Sequence, residues 1–83
     1  MRIAELAAYV LTRDTPLKTL NCDPRDSEEV VEENYRSMRD ILDPEPFRGI
    51  QFSKMGKAQN EAALVKIRLA RDSLIKQFAR RRS

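Results

Sequence analysis

Residues Ser27–Glu45, SEEVVEENYRSMRDILDPE, decide the fold of this chain. Val31, Tyr35, Met38 and Leu42 follow one another at steps of four, three and four residues, which puts them on one stripe of an α-helix. Asp26 stands at the expected N-cap with Glu29 three residues on, a spacing that suits a capping box. Glu28, Glu29, Glu32 and Glu33 crowd the beginning of the segment, where the helix dipole favours negative charge. Pro44 has no N–H and disfavours helical geometry at Asp43, so the helix is expected to stop near Leu42.

Working outward, Ile3, Leu6, Ala7, Val10 and Leu11 form the apolar stripe of an N-terminal amphipathic helix within residues 1–14. A helix this short needs something to dock on, either the core of the same chain or a groove on a partner. Thr15-Pro16 reads as an N-cap followed by proline in the first turn, opening a short helix with Leu17 and Leu20. Asn21 to Asp26 has turn chemistry, and Cys22 within it reads as a small, partly buried apolar side chain.

A long connection is expected from Asp43 to Ala58, with Phe47, Ile50 and Phe52 folding back on the helices or forming a contact patch. Asn60 then reads as the N-cap of a last helix whose apolar face carries Leu64, Ile67, Ala70, Leu74 and Phe78. Val65, Leu69 and Ile75 widen that face, which suggests contact with more than one element or with another chain. Arg80, Arg81 and Arg82 are expected to fray as a basic tail, residues 80–83. Strand signals are missing, so the expected class is all-α: two long antiparallel helices, a short helix before them, and an extra N-terminal helix.

Composition narrows the functions. Eighty-three residues make a single domain with a thin core. One cysteine excludes an intramolecular disulfide, and without histidine or a cysteine cluster no zinc site is expected. The N-terminal sequence MRIAELAAYVLTR has too short an apolar region for a secretory signal, and no run approaches a membrane span. No nucleophile pair or Gly-rich phosphate loop is present, so neither an enzyme nor a cofactor is expected. Asp43 and Glu45, the close carboxylates of the corner, read as a solvated turn rather than a catalytic dyad.

Charge is distributed unevenly. Residues 1–53 carry 7 basic and 11 acidic side chains, whereas residues 54–83 carry 9 basic and 2 acidic ones. A basic C-terminal third can meet nucleic acid, anionic lipid or an acidic protein, and a solvated helix face is the plainer reading. Lys66, Arg68, Arg71 and Lys76 on a final helix keep a nucleic-acid binder open as an alternative. The connection between the long helices is nevertheless far longer than a helix-turn-helix allows.

The order of elements, with a proline corner between two long helices, resembles the J-domain of DnaJ-type co-chaperones over roughly Pro16 to Phe78, within a J-like unit of residues 15–79. Leu20-Asn21 falls where the family's first helix ends in Leu-Gly. Val31, Tyr35 and Met38 fall on its second-helix apolar positions. Asp43-Pro44-Glu45 falls, without a gap, on the His-Pro-Asp tripeptide, and Glu61-Ala62, Leu64, Ile67, Ala70 and Leu74 are similar to its third helix.

In working members the tripeptide and a basic second helix engage a DnaK-type chaperone and trigger ATP hydrolysis. Here Asp43 replaces the histidine, Glu45 the aspartate, and five acids outnumber Arg36 and Arg39 from Ser27 to Leu42. The resemblance therefore implies a degenerate J-like interaction module that does not stimulate a chaperone ATPase. It is similar to the J-like regulator subunit of the mitochondrial presequence-translocase import motor in Leu20-Asn21, Glu29-Val30, Asn34-Tyr35 and the acidic corner.

That likeness implies a mitochondrial setting, on the matrix side of the inner membrane. The implied partners are an active J-protein or a multi-subunit membrane complex. Asp43, Pro44, Glu45, Arg36 and Arg39 are the implied partner-binding residues, with Arg80, Arg81 and Arg82 as a surface anchor. An active co-chaperone with altered chaperone specificity is the alternative within the family.

Overall fold

The computed structural model describes the backbone of residues 3–42 and 54–82, and the side chains of residues 5–42 and 58–81. Four α-helices are present among them: α1 (Ile3–Thr12), α2 (Pro16–Thr19), α3 (Glu28–Leu42) and α4 (Lys54–Arg82). No strand occurs among the described residues, and the all-α class holds. The corner Asp43, Pro44 and Glu45, together with Phe47, Ile50 and Phe52, lies outside the described residues.

The caps explain the element boundaries. Thr15 takes extended geometry and its hydroxyl accepts from the Lys18 N–H at 3.2 Å, with Pro16 opening α2 as its fixed φ allows. The N-cap of α3 is Ser27, not Asp26. The Ser27 hydroxyl accepts from Val30 N–H at 3.4 Å, and the Ser27 carbonyl accepts from Val31 N–H at 3.1 Å. Asp26 is engaged elsewhere: its carboxylate accepts from Asp23 N–H at 2.8 Å, and Asp23 in turn accepts from Arg25 N–H at 2.9 Å. These Asx contacts close the turn ahead of α3 and leave the cap to the next residue. At its other end α3 is described as far as Leu42; Asp43 and Pro44, where the sequence expects it to end, lie outside the described residues.

The last helix begins earlier and ends later than expected. It starts at Lys54, so Gly56 and Ala58 belong to it, and it runs on through Arg82. Lys, Met, Ala and Gln are good helix formers, and one glycine costs a long helix only about 1 kcal/mol. Asn60 is therefore not an N-cap. It sits inside α4, is buried, and its side-chain amide donates to the Leu42 carbonyl, closing the C-terminal end of α3.

Every other helix packs on α4. Val31, Tyr35, Met38 and Leu42 of α3 are all buried in one cluster with Ala63, Ile67, Ala70 and Leu74 of α4. Asn60 reaches Leu42, while Arg71 lies 3.9 Å from Glu32, so α3 and α4 run in opposite directions. Leu6, Ala7 and Val10 of α1 belong to the same cluster, so the N-terminal helix docks on its own chain. Lys66 fixes it there by donating to the Leu11 carbonyl at 3.3 Å and to the Arg13 carbonyl, which satisfies open carbonyls at and just beyond the end of α1.

Candidate functional site

The turn between α2 and α3 is built around Asn21, the one described non-glycine residue with positive φ, at 53°. Asparagine tolerates this left-handed geometry better than most side chains. Asn34 of α3 holds the turn. Its amide donates to the Leu20 carbonyl at 3.0 Å, to the Asn21 carbonyl at 3.3 Å and to the Cys22 sulfur at 3.3 Å. Cys22 is half-buried, and its thiol donates to the Leu20 carbonyl at 3.4 Å. Burial pushes the thiol pKa up; the Asn34 contact pulls it down by less, and the Asp26 charge adds to the rise. A neutral, hydrogen-bonded thiol is a structural part of the turn and a poor nucleophile.

Arg36 and Arg39 project from α3, as helical spacing requires, and both are exposed. Arg39 pairs with Asp40 at 3.5 Å and its guanidinium lies 5.7 Å from the Tyr35 ring centroid. Arg36 stands beside Glu28, Glu29, Glu32 and Glu33 along one open depression and has no ion-pair partner among the described residues. The two arginines thus face different surroundings: an acidic face for Arg36, and the α3–α4 seam for Arg39. At the far end of α4, Arg80 and Arg81 are helical and exposed rather than frayed, with Arg81 5.8 Å from the Phe78 ring centroid. Arg82 is the last helical residue.

Arg71 ties the seam together. It lies 4.5 Å from the Tyr35 ring centroid, 2.9 Å from Asp72 and 3.9 Å from Glu32. Burial opposes its charge, but Asp72, Tyr35 and Glu32 outweigh that and raise its pKa above the ordinary value. Tyr35 is buried in the core as expected, and it presents a ring to two arginines.

α4 carries a second apolar set, Val65, Leu69 and Ile75, which the sequence suggests for contact with more than one element or with another chain; Ile75 is half-buried. Val65 and Leu69 do not widen the core stripe; they are 46% and 59% exposed. Each lies two residues from the fully buried Ile67, which is about 200° around a helix of 3.6 residues per turn, and so on the opposite side. Leu11 is likewise 38% exposed instead of completing the α1 stripe.

Among the described residues no cluster of metal-ligating side chains occurs, and no helix is long and apolar enough to cross a membrane. No family model matches the chain, and neither a curated protein nor a solved structure matches it.

Proposed function

We propose that this chain is a non-catalytic protein-interaction module of J-like design. It pairs with a partner protein, or sits as an accessory subunit in a larger assembly, without stimulating a chaperone ATPase. The observation that carries this reading is the α2–turn–α3–α4 arrangement. A left-handed Asn21 stands where the J-domain resemblance calls for glycine, and Val31, Tyr35, Met38 and Leu42 share one core with Ile67, Ala70 and Leu74. The loss of chaperone stimulation rests on two features. The corner carries Asp43 and Glu45 in place of histidine and aspartate, and α3 presents exposed Glu29, Glu33 and Asp40 against Arg36 and Arg39. An acidic helix meets an acidic chaperone surface with repulsion, which slows encounter.

Within this reading the import-motor likeness makes an active J-protein the first partner to examine, at the matrix side of the mitochondrial inner membrane. Asp43, Pro44, Glu45, Arg36 and Arg39 are the contact residues. The direct test is single-turnover ATP hydrolysis by a DnaK-type chaperone with and without the chain. No acceleration is expected, and none from the double variant Asp43→His, Glu45→Asp, because the α3 charge is unchanged. Strong stimulation by the chain itself refutes the reading and makes it an active co-chaperone, whereas stimulation by the double variant alone refutes the role given to the α3 charge.

A further inference from the structure

The core accounts for one side of α4. On the other side Ala58, Ala62, Val65 and Leu69 remain exposed among the described residues and recur at steps of four, three and four. The stripe is about 16 Å long at ~1.5 Å rise per residue, close to three turns. Its steps are those of the apolar positions of a heptad, with Ala58 and Val65 at d and Ala62 and Leu69 at a. Glu61 and Arg68 stand seven residues apart, so both take the g position on one edge of the stripe. Both are exposed, and neither has an ion-pair partner among the described residues.

We infer that this face binds a second copy of the chain: two α4 helices pack antiparallel about a two-fold axis level with the midpoint of Ala62 and Val65. In that register each a position meets a d position. Leu69 meets Ala58 of the second copy, Val65 meets Ala62, and the axis repeats both contacts. Each of the four layers therefore sets a large side chain against an alanine, which fills the seam without a clash or a void. On the edge, Glu61 falls opposite Arg68 of the second copy, again twice. The pattern selects this occupant. A partner helix of one charge gains at one of Glu61 and Arg68 what it loses at the other, and an anionic membrane is repelled by Glu61. The matching helix carries opposite charges seven residues apart in reversed order, with alanines facing Leu69 and Val65, and α4 itself has both. Arg39 is already held by Asp40 at 3.5 Å, and Asp72, one layer beyond the four, is held by Arg71 at 2.9 Å. Three turns bury much less than the ~1,600 Å² of a standard interface, so the dimer is weak, with a Kd on the order of 100 μM. The surface is distinct from the corner after α3, and the inference does not depend on the J-like reading.

The test is sedimentation equilibrium of the full chain from ~10 μM to ~1 mM, where a reversible monomer–dimer equilibrium is expected. Leu69→Asp should weaken it at least ~tenfold. Glu61→Arg and Arg68→Glu should each weaken it several-fold, because each sets like charges opposite one another. Both changes in one chain should restore the parent affinity, and the two single variants mixed should bind each other more tightly than either binds itself. Because Glu61, Arg68 and Leu69 are exposed, all variants should keep the parent helical circular dichroism. A chain that stays monomeric throughout overturns the proposal and leaves the stripe to a different protein, or to a membrane if the monomer floats with phosphatidylserine vesicles. A dimer indifferent to Leu69→Asp, or a doubly reversed chain that associates no better than the single variants, also overturns it. The chaperone assay reads none of these outcomes, so failure of one proposal is separable from failure of the other.

Discussion

Two substitutions two residues apart on α4 test the fold most sharply: Ile67→Ala and Leu69→Ala. Ile67 is fully buried where α3 and α4 meet, whereas Leu69 is 59% exposed. Truncating isoleucine to alanine removes three carbons. At ~0.8 kcal/mol per buried methylene equivalent the transfer loss is about 2.4 kcal/mol. The cavity left in the core cluster adds to this, giving about 3–4 kcal/mol, within the range seen for such truncations. Leu69→Ala removes little buried surface and exchanges one good helix former for another, so its effect should stay within about 0.5 kcal/mol.

A domain of this size holds on the order of 4–12 kcal/mol in total, so the first variant sits near the edge of folding and the second does not. Urea unfolding followed by circular dichroism at the helix band measures both. With a slope of roughly 1–1.5 kcal/mol per molar for a small domain, Ile67→Ala should lower the midpoint by about 2 M or more at an unchanged slope. Equal midpoints for the two variants would refute the assignment of opposite faces to Ile67 and Leu69.

Asn21 offers a backbone test. Asn21→Gly should be neutral or slightly stabilising, because glycine adopts φ near 53° without a Cβ clash, while Asn21→Val should cost about 1–2 kcal/mol by the same urea assay. Asn60→Ala leaves the Leu42 carbonyl without its side-chain donor and should cost about 1–3 kcal/mol; hydrogen exchange at the end of α3 is expected to rise faster than in α1. Cys22 should react with iodoacetamide more slowly than a free thiol at neutral pH, and urea should restore the ordinary rate. The raised Cys22 pKa also sets a sign. The native state keeps the proton to higher pH than the unfolded chain, so its contribution to stability is full below the ordinary thiol pKa and is lost as pH rises through the raised native value. Cys22→Ser should flatten that alkaline decline.

By itself the sequence determined the helical class, the apolar stripe of α3, the Thr15-Pro16 start of α2 and most of the α4 core stripe. These features are local. Helical periodicity, a proline and a cap act within a few residues, and the chain carries them wherever it folds. Tertiary structure decided the matters in which two local options competed. Ser27 displaced Asp26 as the cap because Asp26 was already engaged by the Asp23 N–H. Asn60 gave up a cap to donate to the Leu42 carbonyl from inside α4, which takes in Lys54.

The tertiary structure also decided that α1 docks on its own chain, because Lys66 on α4 supplies donors to the carbonyls at and beyond its end. The outer face of α4 is an intermediate case. The offset of Val65 and Leu69 from Ile67 could be counted in the sequence, but apolar residues on both sides of a helix blur any single stripe. Burial separated them: only one side of a cylinder could turn toward α1, α2 and α3, which left the other to solvent.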